Sequence, residues 1–134
     1  MKLKKQNYIY AVGRRRSASA RVRLHKGNLE NTINSLVIGK YFPGEVARVI
    51  WSKPFELTQT SNKYYVTVKV VGGGKNGQLE AVVLGISRAL ALVNDKFRPI
   101  LKKAGLLTRD SRIRERRKVG MGGKSRRQKQ SPKR

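Results

Sequence analysis

The sequence contains no cysteine and one histidine in 134 residues. The missing thiols exclude disulfides, cysteine-based zinc fingers and a cysteine nucleophile. His25 has no second histidine with which to form a metal site built on a histidine pair, and we expect it to be a surface side chain beside a turn. The sequence therefore predicts neither a metal ion nor a cofactor.

Long apolar stretches are also missing. No apolar run approaches the roughly 18 residues that a membrane-spanning helix needs. The leader over residues 1–7 lacks the apolar stretch of a secretory signal. We therefore expect an intracellular protein that does not associate with a membrane.

Acidic residues are scarce, with 7 Asp and Glu against 32 Lys and Arg and a formal net charge of +25. The excess is concentrated at the two ends of the chain. Residues 1–26 carry nine basic and no acidic groups, and residues 108–134 carry twelve basic and two acidic groups. Repulsion among these positive charges opposes folding unless a polyanion neutralises them. We therefore expect a polyanionic partner.

The apolar pattern divides the chain into a globular domain at residues 1–107 and a basic tail at residues 108–134. All nine aromatic residues lie at or before Phe97, and only three apolar residues occur in the tail. The tail cannot bury enough apolar area to offset the entropy of ordering it. We expect it to be extended, and disordered without RNA.

Alternation of apolar and polar residues predicts strands, and apolar residues at helical spacing predict helices. The predicted strands are residues 8–12, 18–24, 32–34 and 64–71. The predicted helices are residues 44–51, 76–94 and 97–104, with an interruption at Pro54, a short further turn at residues 55–57, and Gly105 ending the last helix.

Basic residues in the first strands and in the tail are the candidate nucleic-acid contacts. In the second predicted strand the apolar set occupies one face, and Arg21 and Arg23 occupy the other. An arginine triplet precedes this row, which favours a phosphate-binding face over ordinary solvated strand charges. The predicted contacts are Arg14, Arg15, Arg16, Arg21, Arg23, Lys75, Arg109, Arg112, Arg116, Arg117, Lys118, Lys124, Arg126 and Arg127. Asp110 and Glu115 lie among arginines and are expected to organise their guanidinium groups.

Two glycine-containing segments are similar to phosphate-binding loops, but neither matches the full pattern. The loop at residues 72–77 has Gln78 where the lysine is required, and the segment at residues 123–125 has Lys118 where a glycine is required. The first loop has two interpretations: a connection that needs positive φ angles, or a backbone phosphate contact beside Lys75. With no convergent set of catalytic groups, the sequence predicts a protein that is not an enzyme.

Three segments together resemble one family. They are GRRRSASARV (residues 13–22), GGGKNGQ with GISRAL (residues 72–78 and 85–90), and LKKAGLLTRDSRIRERRKVG (residues 101–120). They resemble small-subunit ribosomal protein number nine of the bacterial type, and the resemblance covers essentially the whole chain. It implies an α+β fold, a single compact domain with a four-stranded sheet backed by helices, in the head of the small subunit of a cytoplasmic or organellar ribosome.

The resemblance also implies the partners, which are small-subunit ribosomal RNA, neighbouring head proteins and peptidyl-site tRNA. The family's last residues approach the backbone of the tRNA anticodon stem-loop. By position these are Ser131, Lys133 and Arg134. The chain departs from the family here, because Gln130 replaces an aromatic residue and Pro132 separates Ser131 from the terminal pair.

A second departure is Val83-Leu84, which replaces an Arg-His pair of the family and removes any RNA contact by that pair. The alternative function is a histone-like architectural nucleic-acid-binding protein. That function explains the charge, but not the joint spacing of the three segments. A phosphate-transfer enzyme built on the glycine loop and a polybasic membrane-surface peptide are weaker alternatives.

Overall fold

The fold is organised around an antiparallel hairpin near the start of the chain. The computed structural model describes residues 7–116 and Val119. Its strands are β1 (Tyr8–Arg15), β2 (Ala18–Lys26), β3 (Thr32–Ile33), β4 (Leu36–Val37) and β5 (Tyr64–Val71). Its helices are α1 (Ile38–Tyr41), α2 (Glu45–Leu57), α3 (Lys75–Val93) and α4 (Phe97–Lys103).

The strands form one sheet in the order β1-β2-β5-β3-β4. β2 pairs antiparallel with both β1 and β5, β3 runs parallel to β5, and β4 is antiparallel to β3. The predicted α+β class, with a sheet backed by helices, is confirmed. The described chain has five strands where the resemblance implies four, and β3 and β4 contain only two residues each.

β1 extends three residues beyond the strand that the sequence predicts. Gly13 pairs with Ala20 and Arg15 pairs with Ala18, so the hairpin closes in a two-residue turn. Arg16 in this turn has a left-handed backbone with φ of 52°. The sequence pattern ends at Val12 because a glycine and arginines interrupt its apolar alternation, whereas the backbone pairing does not depend on their side chains.

The short strand β3 is supplemented by two asparagine side chains. The Asn31 Oδ1 accepts a hydrogen bond from the Val66 amide at 2.9 Å. The Asn34 amide group bonds both the N–H and the carbonyl of Val70, at 3.0 and 3.1 Å. These side chains take the place of strand backbone, which explains why the strand itself is brief.

α2 continues through Pro54, where the sequence predicts an interruption. The helix buries Pro54 and Phe55, and the Thr58 hydroxyl donates to the Pro54 carbonyl at 2.9 Å. The prediction was wrong because burial of this last turn outweighs the hydrogen bond that a proline cannot donate. Val46 and Val49, whose spacing predicts the helix, are exposed.

α3 packs directly on the backbone of the hairpin. A Cβ added at Gly13 would lie 1.7 Å from the Ala81 carbonyl oxygen, and one at Gly85 would lie 2.5 Å from Val22 Cγ2. Glycine is therefore required where this helix crosses β1 and β2. α2 and α4 both pack against α3, and no helix within residues 7–116 covers the other side of β1, β2 and β5.

The core between sheet and helices includes Val22, Val66, Val82, Ile86 and Leu90, all fully buried. The α3 stripe predicted from helical spacing contributes much of it. None of the helices within residues 7–116 combines the length and the apolar character needed to span a bilayer.

Candidate nucleic-acid interface

The side of the sheet that none of the described helices covers is here called the open face, and it consists of alternate residues of three strands. On the helix side, alternate residues from Ala11 to Arg15 and from Ala18 to Leu24 are buried, and their neighbours point the other way. The open face comprises Tyr8, Tyr10, Val12, Arg14, Ser19, Arg21, Arg23, His25, Tyr65, Thr67, Lys69 and Val71.

Three cations lie together on the open face. Arg21 is directly opposite Lys69 of β5, and Arg23 is opposite Thr67 in the adjoining row. All three cations are exposed, and they line a shallow depression of about 810 Å³ whose described lining residues include no carboxylate. The face can therefore accept a chain of negative charges.

Lys69 is a further candidate contact, which the sequence did not predict. Alternation in the strand at residues 64–71 already places Lys69 on the face opposite Val66, Val68 and Val70. What was missing was the pairing of β5 with β2, which brings Lys69 beside Arg21.

An aromatic stack forms one end of the open face. The His25 ring lies parallel to that of Tyr65, with centroids 4.9 Å apart, and its other neighbour is Tyr8 at 5.5 Å. His25 Nε2 is 3.0 Å from the Thr67 hydroxyl. Burial lowers the pKa of His25, and the positive charge of Arg23 lowers this pKa further. His25 is thus a half-buried strand residue held in a stack, where the sequence predicts a surface side chain beside a turn.

The structure divides the arginine triplet. Arg14 and Arg16 are exposed, whereas Arg15 is 6% exposed and lies on the helix side of β1. Arg15 forms an ion pair with Glu80 of α3 and a second with Asp110 at 3.2 Å. Its predicted place on the phosphate-binding face is therefore corrected, because strand alternation turns it toward α3.

The segment after α4 begins with a compact Asp–Arg arrangement. Arg112 donates to Asp110 through its side chain, with Nη2 at 2.8 Å from Oδ2, and through its backbone amide at 3.0 Å. The hydrogen bond from the Arg112 side chain has the largest effect on the pKa of Asp110, and the bond from the Arg112 backbone amide adds to it. Together they hold this pKa well below its usual range. The expectation that Asp110 organises guanidinium groups is confirmed. Arg109, Arg112 and Arg116 are all exposed.

The glycine loop is held in place by contacts within the protein. Gly72 and Gly73 have positive φ angles, and a Cβ at Gly72 would lie 2.5 Å from the Ser17 carbonyl oxygen. Gln78 donates to the Gly72 carbonyl at 2.9 Å. Of the two interpretations, a connection that requires glycine accounts for these two residues.

Lys75 at the end of this loop already has partners in α1. Its Nζ lies 3.4 Å from the centroid of the Tyr41 ring and donates to the Tyr41 carbonyl at 3.3 Å. The side chain is exposed, so its predicted phosphate contact stays a prediction. Val83 and Leu84, which replace the family's Arg-His pair, are buried in α3.

The remaining predicted contacts lie outside the described residues. They are Arg117, Lys118, Lys124, Arg126, Arg127, Ser131, Lys133 and Arg134.

Comparison with known proteins gives a single consistent result. Residues 13–134 match the family described as Ribosomal protein S9/S16. The chain is 46% identical over 116 residues to small ribosomal subunit protein uS9 of Desulfovibrio desulfuricans, with 87% of this chain and 89% of the relative covered. The protein of the same name from Solidesulfovibrio magneticus is 47% identical with the same coverage. That of Amoebophilus asiaticus is 47% identical over 112 residues, which are 84% of this chain and 88% of the relative.

This likeness spans the hairpin, the glycine loop and the segment that follows α4. Those regions carry most of the cations described above. The predicted absence of an enzymatic role agrees with the ribosomal proteins that the chain matches. By sequence along nearly its whole length, the chain belongs to the ribosomal protein S9/S16 family.

Proposed function

We propose that this protein is a structural component of the small ribosomal subunit in the cytoplasm, that it binds ribosomal RNA through the open face, and that its C-terminal tail supports peptidyl-site tRNA. The observation that carries the RNA-binding part is the cross-strand pair Arg21 and Lys69. The name of the relatives, small ribosomal subunit protein uS9, supports the assignment to that subunit.

The cross-strand pair is unfavourable for folding alone. Like charges directly opposite each other on a sheet are destabilising, and opposite-charge pairs contribute roughly 0.2–1 kcal/mol. Arg21 and Lys69 have Arg23 as their near neighbour and no carboxylate among the described lining residues of the depression. A row of phosphates relieves this repulsion and releases the counterions of the nucleic acid.

The shape of the open face favours folded RNA as the polyanion. The face is broad and shallow, and its described basic residues are spread over neighbouring strands, so it follows a backbone and does not enter a groove as a recognition helix does. Arg14 and Arg16 extend the positive surface to the hairpin turn. A histone-like DNA-binding role uses the same charges, and the choice between the two is tested below.

Salt-dependent binding of a small-subunit ribosomal RNA fragment tests the open face. With about six to ten phosphate contacts, affinity should fall roughly 10³- to 10⁵-fold between about 50 and 200 mM salt. Replacing Arg21, Arg23 and Lys69 by Gln should reduce the slope of log K against log salt by roughly two to three, at about 0.7–0.9 per lost contact.

The matched control removes three exposed cations from the helical side, Arg98, Lys102 and Lys103, again by Gln. We expect it to change the slope much less. Equal losses in the two triple variants would mean that only total charge matters and would overturn the open face as the binding surface. Equal affinity for duplex DNA of the same length would favour the architectural alternative.

The tail is tested separately. What supports its role is the family resemblance of its last residues and its charge of twelve basic against two acidic groups. Deleting Lys133 and Arg134 should leave subunit assembly largely intact and weaken binding of peptidyl-site tRNA. Lost assembly with normal tRNA binding would reverse the roles given to domain and tail.

A further inference from the structure

Arg15 is the only charged side chain among the described residues that is buried. A guanidinium cannot be neutralised by losing its proton, so its removal from water must be balanced by hydrogen-bonded partners. The RNA-binding proposal does not use Arg15, because the side chain points away from the open face. Its three partners indicate a different role.

The partners of Arg15 come from two distant parts of the chain. Its Nε contacts the Glu80 carboxylate of α3. Its Nη2 lies 3.2 Å from Asp110, and its Nη1 donates to the carbonyl of Arg112 at 2.9 Å. One side chain of β1 therefore links the long helix to the segment that follows α4.

The segment that Arg15 contacts has no secondary structure of its own. Residues 109–116 belong to no helix or strand. Asp110 connects this segment to the domain, because its Oδ2 forms ion pairs with both Arg15 of the domain and Arg112 of the segment. The contact is thus a clamp made of Arg15, Asp110 and the Arg112 carbonyl.

We propose that this clamp fixes where the C-terminal tail leaves the domain, with Arg15 and Asp110 acting as positioning residues. Twenty-two residues follow Arg112, and at full extension they span at most roughly 75 Å. Fixing the first of them in advance lowers the entropy that the tail loses on binding and raises its effective concentration at one site. The consequence for tRNA rests on the proposed function, whereas the clamp itself does not.

Trypsin cleavage of the full-length free protein tests the clamp directly. The bond after Arg112 is the one whose carbonyl accepts from Arg15, so cleavage there requires the clamp to open. Asp110→Asn keeps the size of the side chain and removes the charge. We expect it to accelerate cleavage after Arg112 by about three- to tenfold while cleavage after Arg116 is unchanged.

Glu115→Gln is the matched control, because it removes one negative charge from the same segment. Unchanged cleavage after Arg112 in Asp110→Asn, or an equal acceleration in Glu115→Gln, would overturn the clamp. Thermal unfolding of both variants distinguishes local release from loss of the fold. We expect a small fall in the midpoint of Asp110→Asn, because Arg15 keeps Glu80 but loses its second carboxylate, and both variants should stay folded at the temperature of the cleavage assay.

The functional consequence is measured in small subunits reconstituted with each variant. Asp110→Asn should weaken peptidyl-site tRNA binding by about three- to tenfold and leave the salt slope of ribosomal RNA binding unchanged. Faster trypsin cleavage with normal tRNA binding would keep the clamp and refute the tRNA role of the tail. Weakened RNA binding with normal cleavage would refute the clamp and place Asp110 in the RNA interface.

Discussion

The two faces of the β1–β2 hairpin carry the same residue type in opposite roles. On the open face, Arg21 and Arg23 are exposed and opposite other polar strand residues. On the side packed against α3, here called the packed face, Arg15 is buried and bonded to two carboxylates and a carbonyl. Strand alternation alone makes this difference, so membership in a basic run does not indicate what a cation does.

The faces also differ in how their charge is balanced. Arg15 meets Glu80 and Asp110, which neutralise it within the protein. Arg21 meets Lys69 and has no such partner among the described residues that line the depression. The positive charge on the packed face is thus neutralised within the free protein, whereas we expect an external anion to neutralise the charge of the open face.

The largest expected effect on stability comes from the packed face, where α3 lies directly on the backbone of the hairpin. Gly13→Ala should destabilise the protein by about 3 kcal/mol, because the new Cβ meets the carbonyl of Ala81 at a distance that requires α3 to move. Urea unfolding followed by circular dichroism measures the change. Gly39→Ala in α1, where a Cβ meets nothing within 4 Å, is the matched control and should be neutral or slightly stabilising.

Replacing two arginines of the hairpin should have smaller effects on stability, and the two effects should be opposite in sign to each other. Arg15→Gln leaves Glu80 and Asp110 without their shared cation and should cost about 1–2 kcal/mol, reduced from a fully buried case because both carboxylates reach solvent. Arg21→Gln relieves repulsion with Lys69 and should change stability by less than about 0.5 kcal/mol, in the stabilising direction. Equal destabilisation by both variants would abolish the distinction between the faces.

The sequence predicts the elements well and their long-range contacts poorly. β5 and α3 are predicted almost to the residue, because their apolar periodicity is local and uninterrupted. The hydrogen bonds of Arg15 connect it to Glu80 and Arg112, which follow it in the sequence by 65 and 97 positions. No local sequence pattern specifies such contacts. Lys69 was missed for the same reason, since its neighbour Arg21 belongs to a strand far away in the sequence.

A still smaller effect is expected for Lys69 alone. Lys69→Gln should raise stability by a few tenths of a kcal/mol and lower the salt slope of RNA binding by roughly 0.7–0.9. Denaturation and filter binding on the same preparation measure the two changes. Lys53→Gln, an exposed cation on α2, is the control. A loss of stability without a change in slope would mean that Lys69 has a structural role like that of Arg15.

The smallest expected effect is the pH dependence of His25. Because its pKa is lowered in the folded protein, first by burial and then by Arg23, the unfolded chain binds the proton more readily. Stability should therefore fall as the pH drops below about 6.5 and level off below the folded pKa. His25 is the only histidine, so urea midpoints at about pH 7 and 5.5 report mainly on this ring. His25→Phe keeps an aromatic ring in the stack and should flatten the profile.

RNA binding should respond to the same proton in the opposite direction. A protonated His25 adds a positive charge beside Arg23 on the open face, and nearby phosphates favour the charged form. Affinity for the RNA fragment should therefore rise between about pH 7 and 5.5 while the stability of the free protein falls. In His25→Phe both trends should disappear together. If affinity rises equally in that variant, the pH effect arises elsewhere and the aromatic stack is not part of the RNA-binding surface.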